Sequence, residues 1–339
     1  MSTRAPVPDA LTYNVPVPST SEPSWGSAHR QGLWTRVSSA FFWIAPPLLC
    51  LAIYRHGLQV WFTEDDFVWL GLLYRVHSWS DLWKALFTPT VDGTLRPLGE
   101  RGFFLAFHAA FGLNPLPARL CVFLTQFANL VLIGSLARRL TGLRAAGFWA
   151  PVFWISNSAL ATVMTWTTSY MHVLCGFLLL LAFHFFLRHL ETGRRVYQLA
   201  QWAPFLVGFG VLETSLVYPA LAAAYTLLCA RKYFRSTLPL FFASTLFAVA
   251  HLLVAPKVSS GPYSLHLDRF LPHTLWTYWK WALVPTQLDI LFGVGRRPIS
   301  ISVALLTLAL LGFTAWKTWR KQPLPLLFLA WFVILLLPV

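Results

Sequence analysis

The sequence predicts an all-α, polytopic transmembrane helical bundle, and three observations predict it. The chain is 57% hydrophobic and only 11% charged, about half the charged fraction usual for a water-soluble domain. Several apolar runs approach the roughly 20 residues that a helix needs to cross about 30 Å of hydrocarbon. The 26 lysines and arginines fall in short clusters between those runs, as a topology signal does. A net charge of +14 spread in this way forms no single patch, so nucleic acid is not an expected partner. The runs are apolar on every face and lack the period-two alternation of barrel strands, so they are helices.

In chain order, residues 1–35 are rich in Pro and Ser and have no early apolar stretch. They predict a disordered cytoplasmic tail and no signal peptide. Residues 36–339 form the transmembrane domain. Five basic clusters then mark the cytoplasmic side: Arg30 with Arg36, Arg138–Arg144, Arg188–Arg195, Arg231–Arg235 and Lys317–Lys321. Each interval between them must hold an even number of crossings. Residues 39–54 and 120–137 supply the first pair, and residues 145–160 and 171–187 the second. Two short spans meeting near Glu213 supply the third, and residues 238–254 and 299–316 the fourth. The run from 324 onward heads outward, giving about nine spans of membrane-crossing length. The two long outer loops carry interfacial helices. One covers residues 99–111; the other covers Leu271–Leu283, where Trp276, Tyr278, Trp279 and Trp281 crowd around Lys280 as aromatics do at the headgroup level. The chain ends on an apolar run, so the natural sequence is expected to continue.

The acids test this topology, because they were not used to build it. Asp9, Glu22 and Glu191 fall inside; the other nine of the 12 acids fall outside. Acids contribute little to orientation, so this sorting points to chemistry on the outer face. The sharpest feature is Thr63-Glu64-Asp65-Asp66-Phe67. Crowded carboxylates raise at least one pKa, which suits a general base or a metal ligand, and a solvated loop is the plain alternative. Later in that loop comes Leu95-Arg96-Pro97-Leu98. Arginine offers a permanently charged planar fork for phosphate, and Pro97 suits a helix start. Glu213 is a lone acid in an apolar stretch, where an ionisable group usually faces a cavity or a partner. In the second loop, Lys257, Arg269 and Lys280 are candidate phosphate contacts.

No metal site is expected. His266 and Asp268 lack a third ligand, which leaves a divalent metal open without requiring one. Cys50, Cys121, Cys175 and Cys229 each sit in a different apolar run, without metal or redox spacing, and read as apolar filler. No phosphate-cradling glycine loop, nucleotide fingerprint or Ser–His–Asp pattern occurs.

These stretches together resemble the GT-C membrane glycosyltransferases, particularly the protein O-mannosyltransferase-like and TMTC-like branch. Glu64-Asp65-Asp66-Phe67 is similar to the acidic motif of that family's first outer loop, and Arg96-Pro97 to its later Arg-Pro. Val163-Met164-Thr165-Trp166 resembles a Trp-containing outer link, Leu212-Glu213-Thr214 through Pro219 a Lys-Glu-Thr…Pro segment, and residues 276–285 an aromatic segment ending in Pro. The likeness runs over residues 34–339. Two departures stand out: Tyr170 and His172 occupy positions where relatives often have Arg and Asp, and Leu212 replaces a Lys.

The resemblance implies a GT-C-like fold and an inverting transfer of a sugar from a polyprenyl-phosphate carrier to an acceptor hydroxyl of a glycan, lipid or protein, at the outer face of a bacterial inner membrane. It implies Asp65 or Asp66 as base and Arg96 as a phosphate ligand, with Glu64, Glu213, Lys257, Arg269 and Lys280 lining the substrate site. The competing expectations are a transporter or flippase of lipid-linked sugars, which would need polar groups near the midplane, and a non-catalytic membrane subunit.

Overall fold

The computed structural model describes residues 25–89, 94–157, 159–254, 271–284 and 296–336. These residues are all-helical, and among them no strand occurs. The chain divides into two compact units, Met1–Phe42 and Trp43–Val339. Helix α1 (Trp25–Tyr54) begins in the first unit, so residues 25–35 are helical where composition predicts an unstructured tail. Residues 1–24 lie outside the described residues.

In the second unit the chain leaves α1 and forms three short elements: α2 (Asp66–Leu70), α3 (Trp79–Phe87) and α4 (Phe103–Phe111). The long α5 (Leu116–Thr141) follows, then α6 (Arg144–Ile155) and α7 (Ala159–Thr165). Next come α8 (Tyr170–Thr192), α9 (Arg195–Phe209) and α10 (Tyr218–Cys229). The last are α11 (Leu238–Val254), α12 (Leu271–Leu283), α13 (Arg296–Trp319) and α14 (Leu324–Leu336). Glycines in the left-handed region close α5 at Gly142 and α8 at Gly193, the standard helix stop.

Five helical stretches are long and apolar enough to cross a membrane: Ala40–Leu58, Leu116–Thr141, Thr167–Thr192, Arg231–Val254 and Ile299–Trp319. Their outward faces carry side chains that water would not tolerate in such number. Phe242, Leu246, Leu253 and Leu308 are each more than half exposed. The expected first-loop helix at residues 99–111 is a π-helical turn, Pro97–Gly102, leading into α4; at nine residues α4 is about 14 Å long, too short to cross.

Several of the shorter helices pack along the long ones. At one end, an added Cβ on Gly134 of α5 would meet Gly147 O at 2.7 Å and Trp43 at 3.6 Å. At the other end, one on Gly57 would strike the Met164 carbonyl and approach Phe123 at 3.6 Å. Between them, Tyr54 OH donates to Ile155 O at 2.7 Å. Thus α1, α5 and the broken pair α6–α7 pack side by side. Close backbone approach at glycine is how helices pack where lipid removes the usual hydrophobic drive. Likewise α9 runs back along α8: Val211 and Leu212 pack against Met171 and Cys175 near its start. α10 then returns, ending beside Glu191 in a pocket that Cys229 also lines.

Trp279 of α12 donates from Nε1 to Thr307 Oγ1 at 2.7 Å and meets the Phe332 ring edge-on. Thr307 is in the middle of α13, so α12 lies alongside that helix. Trp279 is half-buried there, while Trp276 and Trp281 of the same helix remain exposed.

Candidate functional site

The acidic motif separates into three environments. Glu64 is exposed and has φ of 49°, the left-handed region that non-glycine residues seldom adopt. Asp65 is exposed, and its backbone carbonyl accepts the first N–H bonds of α2. Asp66 is 0% exposed. Its Oδ2 accepts Thr63 N at 3.0 Å, and its Oδ1 accepts both Thr168 N at 2.7 Å and Thr168 Oγ1 at 2.6 Å. Asp66 therefore clasps the loop after α1 to the link before α8. A buried charge is tolerable only when hydrogen-bonded in this way. Arg119, also 0% exposed, sits within the electrostatic reach of Asp66 and donates to Trp61 O at 3.0 Å.

A second cluster forms around Arg96. Its Nε lies 2.8 and 3.1 Å from the two oxygens of Glu213, and its Nη1 lies 2.8 Å from Glu100 Oε1 and 3.3 Å from Met171 Sδ. The backbone holds the two chain segments together: Leu98 N and Gly99 N both donate to Gly210 O, at 2.8 and 3.3 Å. Gly99 is required there, since a Cβ would lie 2.6 Å from Val211 O. Burial alone would lower the Arg96 pKa, but Glu213 and Glu100 more than offset it, so it lies above the ordinary arginine value. Burial pushes the Glu100 carboxyl upward against the opposing pull of Arg96. Two carboxylates thus face one guanidinium. Arg96 Nη2 makes no hydrogen bond with a described residue.

The two clusters meet at the start of α8. Thr168 holds Asp66 and Met171 touches Arg96, and three residues of helix rise only about 4.5 Å. His172, exposed on the same turn, is close enough to feel both Arg96 and Glu213. Four segments far apart in sequence, at residues 63–66, 96–100, 167–172 and 208–213, therefore converge.

Not every expected residue joins them. Lys280 lies on α12, whose packing is against α13, and makes no hydrogen bond to the cluster. Lys257, Arg269, His266 and Asp268 lie outside the described residues. Among the described residues no three His, Cys, Asp or Glu side chains group as a metal site would. Sequence reasoning missed Glu100, Arg101 and Arg119. The i,i+4 spacing of Arg96 and Glu100 was a usable signal for the first. No family model, no curated protein and no solved structure matches the chain.

Proposed function

We propose that this chain is a GT-C-like membrane glycosyltransferase, moving a sugar from a polyprenyl-phosphate donor to an acceptor hydroxyl at the outer face. The observation that carries this reading is the convergence of the acidic motif, Arg96 and Glu213 on the first turn of α8. Those are the outer segments on which the family resemblance rests. The nine-span topology belongs to the same proposal; its support is that α6 packs along α5 and α9 along α8.

The roles divide by environment. Asp65 carries an exposed carboxylate and is the acceptor's base. Asp66 has both oxygens committed to Thr63 and Thr168, so it positions the loop that carries Asp65. Glu213 and Glu100 orient the Arg96 fork and leave Nη2 to meet charge developing on the departing phosphate, where a fixed donor acts most strongly.

The test is release of polyprenyl phosphate from a panel of lipid-linked hexoses by the purified chain. Asp65→Asn is expected to lower turnover by about 100-fold or more, the usual contribution of a general base, with thermal stability unchanged. Full turnover by that variant rejects Asp65 as base. Absence of turnover by the wild type, with lipid-linked sugar moved across vesicles, makes the chain a transporter.

A further inference from the structure

A second polar feature lies in the first outer loop. It is a pocket of about 280 Å³ between α2, α3 and the π-helical turn, and Trp69, Arg75, Asp81, Lys84, Thr88 and Arg101 define it. Leu72 and Ala85 give it apolar walls, and the polar side chains lining it are donors except for Asp81. Arg101 is 2% exposed. Its Nη1 donates to Ala85 O at 3.3 Å, to Leu86 O at 3.0 Å and to Thr88 O. These are carbonyls at the C-terminal end of α3, so the guanidinium caps that helix. Its Nη2 is shielded from water and has no acceptor among the described residues, and the same holds for the Trp69 indole N–H. A buried donor left unmatched costs about 1–3 kcal/mol. Two lining one pocket favour an acceptor that the described residues do not provide.

Charge points the same way. Arg75 and Lys84, both exposed, add two cations at the rim. Among the described residues Asp81 is the one acid lining the pocket, and its carboxylate is committed to its own helix start. Oδ2 accepts Ser78 Oγ at 2.8 Å and His77 N at 3.3 Å, while Ser78 Oγ accepts Asp81 N at 3.2 Å. Glu100 is near enough to influence Arg101, but its hydrogen bond goes to Arg96. Three cations therefore face one satisfied carboxylate. The helix is two-faced as well. Residues 81, 84, 85 and 88 follow helical spacing on the pocket side. Trp79, Trp83 and Phe87 form the opposite stripe, exposed at 86%, 67% and 38%.

We infer that this pocket is a binding site for a phosphate group, carried on a membrane lipid or free in solution. A phosphate offers several acceptor oxygens to Trp69 Nε1 and Arg101 Nη2, and negative charge to Arg75 and Lys84. The site stands independently of the transferase reading, because its groups are distinct from Asp65, Arg96 and Glu213 and its test needs no turnover.

The experiment uses the full chain in neutral maltoside micelles, titrated calorimetrically with inorganic phosphate and, separately, with dodecyl phosphate. At least one probe is expected to bind with one-to-one stoichiometry. The double variant Arg75→Gln/Lys84→Gln, changed only at exposed positions, is expected to weaken that binding at least about tenfold, as loss of charge-assisted bonds implies. Trp69→Phe, which removes one N–H and keeps the shape, is expected to weaken it severalfold. Dodecyl phosphate binding far more tightly than inorganic phosphate identifies a lipid source, and equal affinities a site for the phosphate group alone. Failure of both probes to bind, or binding unchanged in the double variant and in Trp69→Phe, overturns the site and leaves the two donors to water.

Discussion

Replacing Asp66 by Asn separates architecture from chemistry in the acidic motif. The native carboxylate accepts three hydrogen bonds at zero exposure, two from Thr168 on one oxygen and one from Thr63 on the other. Asparagine keeps one acceptor oxygen. If that oxygen stays on Thr168, the new NH2 faces the Thr63 N–H, and a buried donor pair costs about 1–3 kcal/mol. The remaining bonds lose their charge assistance, on the order of 1 kcal/mol each. Arg119 also loses its nearby countercharge while its Nε and Nη1 have no partner. The total is about 3–5 kcal/mol. For Asp65→Asn, at an exposed carboxylate, the expected change is within about 0.5 kcal/mol. A thermal melt read by a thiol-reactive dye reports both variants, because Cys50 and Cys175 are buried until the chain opens. Asp66→Asn should lower the midpoint by at least about 5 °C, with Asp65→Asn at the wild-type value. A wild-type midpoint for Asp66→Asn, or equal losses in both variants, would refute the clasp.

Three further outcomes follow from the same geometry. Gly99→Ala forces a Cβ to within 2.6 Å of Val211 O; it should cost about 1–3 kcal/mol and speed amide exchange at Leu98, whose N–H is bonded to Gly210. Glu100 has a folded-state pKa raised above 4.5 by burial. The folded chain thus holds that proton more tightly than the unfolded one, and stability falls as pH rises from 4.5 through the raised value. Glu100→Gln should flatten that slope in melts taken across the window while keeping an acceptor for Arg96, and an unchanged slope assigns the effect to another group. Ser78→Ala removes the α3 cap and should destabilise that helix by about 1 kcal/mol, seen as faster exchange across Trp79–Phe87 with α5 and α8 unaffected.

Apolar runs and basic clusters made the helical class and the long helices legible, because lipid and membrane potential impose simple patterns on sequence. The broken pair α6–α7 was harder, since hydropathy reads residues 145–160 as one run and does not see the interruption after Ile155. Asp66, Arg96 and Glu213 stood out as polar groups in apolar or outer segments, and they converge. Glu100, Arg101 and Arg119 did not stand out. A charge beside an apolar run reads equally well as a topology marker, and only the fold shows that these three are buried. The contact of α12 with α13 was also hidden, because an aromatic run looks the same whether or not one of its indoles bonds a neighbouring helix.

The Asp66–Thr168 clasp also sets an order of events during synthesis. Its partners are 102 residues apart in the chain, and those of the Arg96–Glu213 pair are 117 apart. At about 5–20 residues per second, Asp66 leaves the ribosome roughly 5–20 s before Thr168 exists to receive it, and Arg96 waits longer still for Glu213. In that interval neither charge has its final partner, so both must remain hydrated while α5 and α8 are made. The cluster thus cannot close until Glu213 has been made, long after its first half. A factor that shields nascent polar loops would act on residues 63–101 in that interval.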